Sequence, residues 1–215
     1  MNWSVIIPTM WRSDLILELV QRLSDEPLVG EIIVIDNAVE VSRMLELCPT
    51  KLVALPQKEN IMVNPAWNLG VETAKRKRIA LVNDDILFDP GVMFSLGVQV
   101  GQVIGLGTSC YEENLIGPPR LEISHDHNYG WGCAILTRRE SWQPIPAGIK
   151  IWYGDNWLRL KAKISMAVEG LPVKTQMSAT SISPEFGHMI EQDTENWKNL
   201  VDERPRRIPP ARGRK

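Results

Sequence analysis

Asn83-Asp84-Asp85 ends the run Arg78-Ile-Ala-Leu-Val-Asn-Asp-Asp. An apolar stretch that stops abruptly in adjacent carboxylates reads as a buried strand delivering acids to a sheet edge. Unpaired acids are costly in such a place. A divalent cation with an anionic ligand resolves that cost, because hard cations take oxygen donors and neutralise charge that develops on a phosphate. Two further acids stand at comparable points. Asp36 closes Glu31-Ile-Ile-Val-Ile-Asp, and Asp155 follows Gly154 at the start of a helical pattern. A carboxylate at a helix N-terminus tends to stay ionised, which suits a general base; as a plain N-cap it would need no other role. His125 and His127, with Asp126 between them, offer a metal cluster, but their i,i+2 spacing in a polar stretch reads equally as a solvated loop.

These side chains need a scaffold, and the hydrophobic pattern supplies one. Ser4-Val-Ile-Ile-Pro-Thr, Glu31 to Asp36, Lys51 to Leu55 and Arg78 to Val82 read as strands. Between them, 14–23 and 65–77 carry apolar residues at helical spacing, and 41–47 reads as a short helix. The alternation predicts a mostly parallel sheet covered by helices, an α/β/α sandwich of Rossmann-like type. Ligands bind such sheets at the carboxyl ends of the strands. Pro8-Thr9, Asp36-Asn37 and Asn83-Asp84-Asp85 all fall there. Farther on, 91–101 predicts a helix, 103–106 a strand, 108–130 a surface excursion, 131–137 a strand, 154–162 a helix, 164–168 and 172–176 late strands, and 194–201 a short helix.

Composition bounds the class. The 215 residues, 44% hydrophobic and 23% charged, suit one globular domain over 1–203. No stretch approaches the roughly 20 apolar residues of a membrane span, so no integral membrane association is expected. No secretory signal is evident, and the three scattered cysteines form neither a disulfide framework nor a zinc signature, which fits a cytoplasmic protein. Residues 204–215 hold five Arg, one Lys and no acid, a charge of +6 that leaves −8 on the remainder of a chain whose total is −2. With Pro205, Pro209 and Pro210, this basic tail reads as extended. It could hold nucleic acid or simply aid solubility.

The chain resembles the family 2 glycosyltransferases of the GT-A fold over roughly residues 3–190. The resemblance rests on Val5-Ile-Ile-Pro-Thr, Glu31-Ile-Ile-Val-Ile-Asp, Asn60 with Asn68 and Gly70, Asn83-Asp84-Asp85, Gly130-Trp-Gly-Cys-Ala-Ile-Leu-Thr-Arg-Arg and Gly154-Asp155. It implies a metal-dependent inverting transfer of a sugar from a nucleoside-diphosphate donor, UDP-linked by expectation, to a hydroxyl. Asp85 would ligate Mn²⁺ or Mg²⁺, with His188 completing the site. Asp84 and Asn83 would lie at the ribose, and Asp36 would accept from the base. Pro8, Thr9, Met10 and Arg12 would wall the base pocket, and Asn60 and Asn68 would supply polar contacts beside the nucleotide. Asp155 would be the base. Among eight tryptophans, Trp131 and Trp152 are candidates to touch substrate. The family often places Tyr-Asn after its first motif, where Met10-Trp11-Arg12 stands here, and it precedes the catalytic acid with Glu, where Gly154 stands here.

The Ile7-Pro-Thr-Met-Trp segment is similar to small phage glycosyltransferases, which modify hydroxymethylated pyrimidines in DNA. The basic tail would suit such an acceptor. Polysaccharide or cell-surface glycan synthesis is the competing acceptor class. A nucleotidyltransferase would need a Gly-rich loop with a basic residue after the first strand, and Pro8-Thr-Met-Trp-Arg-Ser-Asp contains no glycine. A non-catalytic nucleotide-binding module is the remaining alternative.

Overall fold

The computed structural model describes residues 2–38, 43–47, 49–98, 103–111, 117–124, 130–176 and 183–202. Cys48, His125, Asp126, His127 and the basic segment 204–215 lie outside them. Eight strands form one sheet, in the order β3 (Leu52–Pro56), β2 (Val29–Asp36), β1 (Trp3–Thr9), β4 (Arg78–Val82), β8 (Ala134–Arg138), β6 (Val103–Leu106), β9 (Ser165–Glu169), β7 (Arg120–Ile123). The β3-β2-β1-β4 half is parallel, whereas β8 runs antiparallel to both β4 and β6. β5 (Ile86–Leu87) pairs separately with β10 (Lys174–Thr175).

The strand period of two divides the core into two layers. On one face Val5, Ile7, Ile32, Val34, Ala80 and Val82 pack on Ile16, Leu19, Val20 and Leu23 of α1 (Leu15–Asp25) and on Met93 and Phe94 of α3 (Pro90–Val98). On the other, Ile6, Ile33, Ile35, Ile79 and Leu81 pack on Ala66, Trp67 and Val71 of α2 (Val63–Thr73) and Leu158 of α4 (Gly154–Lys161). Strands buried on both faces explain the unbroken apolar runs. Gly70 lets α2 lie close to the sheet, since a Cβ there would collide with Ile6 Cγ2.

Several described elements depart from the sequence expectation, among them the expected short helix over 41–47, whose described part is a 3-10 turn at Met44–Glu46. Residues 131–133 form a 3-10 turn, and the strand begins only at Ala134, because Gly130 in the left-handed region (φ 83°) turns Trp131 under Gly105. The excursion after Leu106 contributes β7, an antiparallel edge strand beside β9. The last helix, α5, spans Gly187–Asp202 and starts seven residues before the expected Thr194. Its buried stripe, Met189, Asp193, Trp197 and Leu200, contains a carboxylate that hides the helical period from a hydrophobicity reading.

Candidate active site at the strand ends

A cleft of about 600 Å³ opens at the carboxyl ends of β1, β2 and β4. One wall is built by Pro8, Thr9 and Met10, by Asn37 after β2, by Asn83-Asp84-Asp85 after β4, and by Asn60 and Trp67. The opposite wall consists of Gly132 and Cys133, the segment Ile151-Trp152-Tyr153, and Asp155 with Asn156 at the start of α4. Phe186 also reaches the cleft.

Asp84 and Asp85 are both buried. Thr9 Oγ1 donates to Asp84 Oδ2 at 2.6 Å, and the Trp11 backbone N–H donates to Thr9 Oγ1 at 2.9 Å. Burial pushes the Asp84 carboxyl up to about 6; the Thr9 hydrogen bond opposes the shift and the Asp85 charge adds to it. Two adjacent carboxylates held in low dielectric are a hard oxygen donor set. Among the described residues no group of three or more His, Cys, Asp or Glu could hold a metal ion by itself. The pair fits a divalent cation whose remaining positions are filled by water and a ligand's phosphates, the usual arrangement for Mg²⁺.

Asp155 sits in the first turn of α4, and its Oδ1 accepts from the Asn156 backbone N–H at 2.9 Å. Gly132 provides the clearance: a Cβ there would lie 2.9 Å from Asp155 Oδ2. Cys133 shares this wall, but burial raises its thiol to about 12. That shift favours the neutral thiol over the thiolate at neutral pH.

Asn60 lines the cleft, with its Nδ2 3.3 Å from Met10 Sδ and its Oδ1 accepting from the Met62 N–H at 2.9 Å. Five other candidates stand outside the cleft lining. Asp36 is 1% exposed, and its Oδ1 accepts from Trp11 Nε1 at 2.9 Å and from the Ala38 N–H at 3.0 Å. Asn37 takes its place in the wall. Arg12 pairs with Glu185 and stacks over Phe186 at 5.6 Å. Asn68 clasps the backbone of Ile145 with both ends of its amide, each at 2.9 Å, a tether between α2 and the segment before α4. Trp131 is fully buried, donates to the Met166 carbonyl at 3.0 Å, and carries the Arg159 guanidinium on its ring at 5.1 Å. Trp152 is the tryptophan of that pair that faces the cleft. His188 is exposed on the first turn of α5.

Asn37 was placed at a strand end by the sequence without a role of its own, and Asn64 and Asp193 were passed over. Asn64 is fully buried on α2; its Nδ2 donates to the carbonyls of Ile149 (3.2 Å) and Trp152 (3.1 Å), and Gly154 packs against its Oδ1. It stands one residue before the helix expected at 65–77, so its place on the buried face emerges only with Val63–Thr73.

No family model matches the chain, and no curated protein matches it. Solved structures do. The chain is similar to S. aureus TarS 1-349 in complex with UDP-GlcNAc, with a TM-score of 0.61, 13% identity, and coverage of 85% of this chain and 61% of that one. It is also similar to the mannosyltransferase PcManGT from Pyrobaculum calidifontis in complex with GDP-Man and Mn²⁺, with a TM-score of 0.63, 11% identity, and coverage of 95% and 65%. The fold is GT-A. The chain spans less than two thirds of the length of either structure.

Proposed function

We propose that this chain is a metal-dependent inverting glycosyltransferase acting on a nucleoside-diphosphate sugar. The observation that carries the reading is one cleft that holds the Asp84-Asp85 pair on one wall and the Asp155 carboxylate on the other. Solved structures of the same fold contain UDP-GlcNAc or GDP-Man with Mn²⁺.

Asp85 is the proposed metal ligand, with Asp84 beside it at the ribose. When bound, Mn²⁺ or Mg²⁺ would neutralise charge on the departing diphosphate. Thr9 fixes the rotamer of Asp84. Asn60 and Asn37 offer amides to the nucleoside, and the Met10 and Trp67 side chains offer it an apolar floor. In this reading Asp36, Arg12, Asn68 and Trp131, which stand outside the cleft lining, hold the walls. His188, exposed on the first turn of α5, is the further candidate ligand.

Asp155 is the proposed base. It would take the proton of the acceptor hydroxyl as that oxygen bonds to the anomeric carbon, while the carbon–oxygen bond to the diphosphate breaks and its electron pair leaves on phosphate. Attack opposite the leaving group inverts the configuration.

UDP is the donor nucleotide we would test first. For the acceptor, the +6 terminal segment favours a polyanion, and hydroxymethylated DNA is the candidate, with polysaccharide as the alternative. A screen of nucleotide sugars for donor hydrolysis, comparing wild type with Asp155→Asn, tests the reading. Turnover should fall about 10²- to 10⁴-fold in the variant. Equal rates would remove Asp155 from the chemistry, and no turnover with any common donor would overturn the reading.

A further inference from the structure

The wall that carries Asp155 is pinned from behind by an acid outside the lining of this cleft. Asp193 is 1% exposed on the inward face of α5. Its carboxylate accepts from three successive backbone N–H groups: Lys150 (3.0 and 3.1 Å to the two oxygens), Ile151 (2.8 Å) and Trp152 (3.0 Å). Three converging amides form a concave anion site, of the kind that elsewhere binds phosphate. Here the chain fills it with its own side chain. The bonds offset the cost of burying the charge, and in exchange they fix the direction of three peptide planes.

The residues that follow are held by the same helix. Tyr153 adopts a left-handed conformation (φ 63°), which is unfavourable for a residue with a Cβ and persists only where the surroundings enforce it. Its hydroxyl bonds to Thr194 Oγ1 at 2.9 Å, and its ring stacks on Trp197 at 5.5 Å and 6°. Asn196 Nδ2 donates to the Gly148 carbonyl at 2.6 Å. From the other side, the Asn64 backbone N–H donates to the Lys150 carbonyl at 2.9 Å. Ile151, Trp152 and Tyr153 face the cleft, and Asp155 follows two residues later.

We propose that Asp193 is a positioning residue: its carboxylate sets the Lys150–Tyr153 backbone so that Trp152 and Asp155 meet the acceptor side of the cleft. This rests on the reading of Asp155 as the base. It separates two halves of the site. The nucleotide wall, built from β1 and β4, does not depend on Asp193; the wall from which Asp155 acts does.

The test uses the full chain with Asp193→Ala and Asp193→Asn, the latter keeping one acceptor oxygen and the shape. Amide hydrogen exchange over residues 148–156 should accelerate about tenfold or more in Asp193→Ala, with the β1 and β4 amides unchanged. In donor hydrolysis, kcat should fall about tenfold while KM for the donor stays within about twofold. Excess sodium formate should slow the exchange and restore part of kcat in Asp193→Ala by refilling the three-amide site, with sodium chloride as the control. Asp193→Asn should lie between the two. Unchanged exchange at 150–152 in the Ala variant would overturn the proposal. So would a parallel change in kcat and KM, or a loss of activity that formate does not relieve. If wild type hydrolyses no nucleotide sugar, the functional reading fails while exchange and its formate response still decide the role of Asp193.

Discussion

The Thr9 hydroxyl donates to Asp84 Oδ2 at 2.6 Å, tying the end of β1 to the end of β4 across the floor of the cleft. Because the Trp11 backbone N–H in turn donates to Thr9 Oγ1, the hydroxyl proton is directed at the carboxylate. The bond compensates a buried charge and fixes the side chain beside the proposed metal ligand. Thr9→Val keeps the shape and removes the donor. It should cost about 1.5–3 kcal/mol in urea denaturation, the range for a hydrogen bond to a charged group, and weaken Mn²⁺-dependent UDP binding in calorimetry.

The Asp84 carboxyl, raised by burial to about 6, makes stability depend on pH in a definite direction. An acid whose folded value lies above its unfolded value of 3.8 favours the folded state when protonated. That contribution is complete below 3.8 and is lost as pH rises through about 6. Asp84→Asn cannot ionise. Relative to wild type without metal, it should gain on the order of 2 kcal/mol between pH 4 and pH 8. Denaturation curves across that range check the sign. Mn²⁺ should raise the wild-type Tm more above pH 6 than below it, and should not raise the Tm of Asp85→Ala.

Gly70 and Gly187 make a contrasting pair. A methyl group at Gly70 meets Ile6 Cγ2 in the α2–β1 contact, so Gly70→Ala should destabilise by about 1–3 kcal/mol through overpacking. At Gly187, whose φ is −54°, a Cβ has nothing within 4 Å, and Gly187→Ala should be neutral or stabilising by up to about 1 kcal/mol. Thermal melts of the two variants distinguish a packing glycine from a dispensable one.

Asp36 offers a further check on the proposed nucleoside contacts. Its carboxylate is satisfied within the protein by Trp11 Nε1 and the Ala38 N–H. Trp11→Phe should lower stability by about 1–3 kcal/mol, since it leaves a buried acceptor short of a donor. UDP affinity measured at saturating Mn²⁺ should change less than in Asn60→Ala, whose amide lines the cleft.

The first half of the fold was legible because its signals are local. Apolar runs that stop at Thr9, Asp36 and Asn83 mark the parallel strands and where they end at once. Asp84, Asp85 and Asp155, which line the same cleft, stand out in the sequence for the same reason: each acid punctuates an element. What escaped the sequence depends on partners far along the chain. Trp131 looks like a sugar platform until Gly105, 26 residues earlier, is seen to receive its ring. Asn68 looks like a nucleotide contact until Ile145 appears beside it. Asp36, expected at the base, accepts from Trp11, a residue in a left-handed conformation (φ 58°) that no local pattern announces. Asp193 breaks the apolar stripe of its own helix, so the feature that makes it informative also concealed the helix. Asn64 and Asp193 each stand one residue before the helices expected at 65–77 and 194–201, so the buried stripe they belong to emerges only with Val63–Thr73 and Gly187–Asp202.

The most direct test of the account is calorimetric titration of UDP and GDP into wild type and Asp85→Ala, with and without Mn²⁺. The account predicts binding of at least one of the two that requires Mn²⁺ and is weakened about tenfold or more by Asp85→Ala, in line with losing one of few protein ligands to the ion. Binding that is indifferent to Mn²⁺, binding unchanged in Asp85→Ala, or the absence of binding to both nucleotides would contradict it.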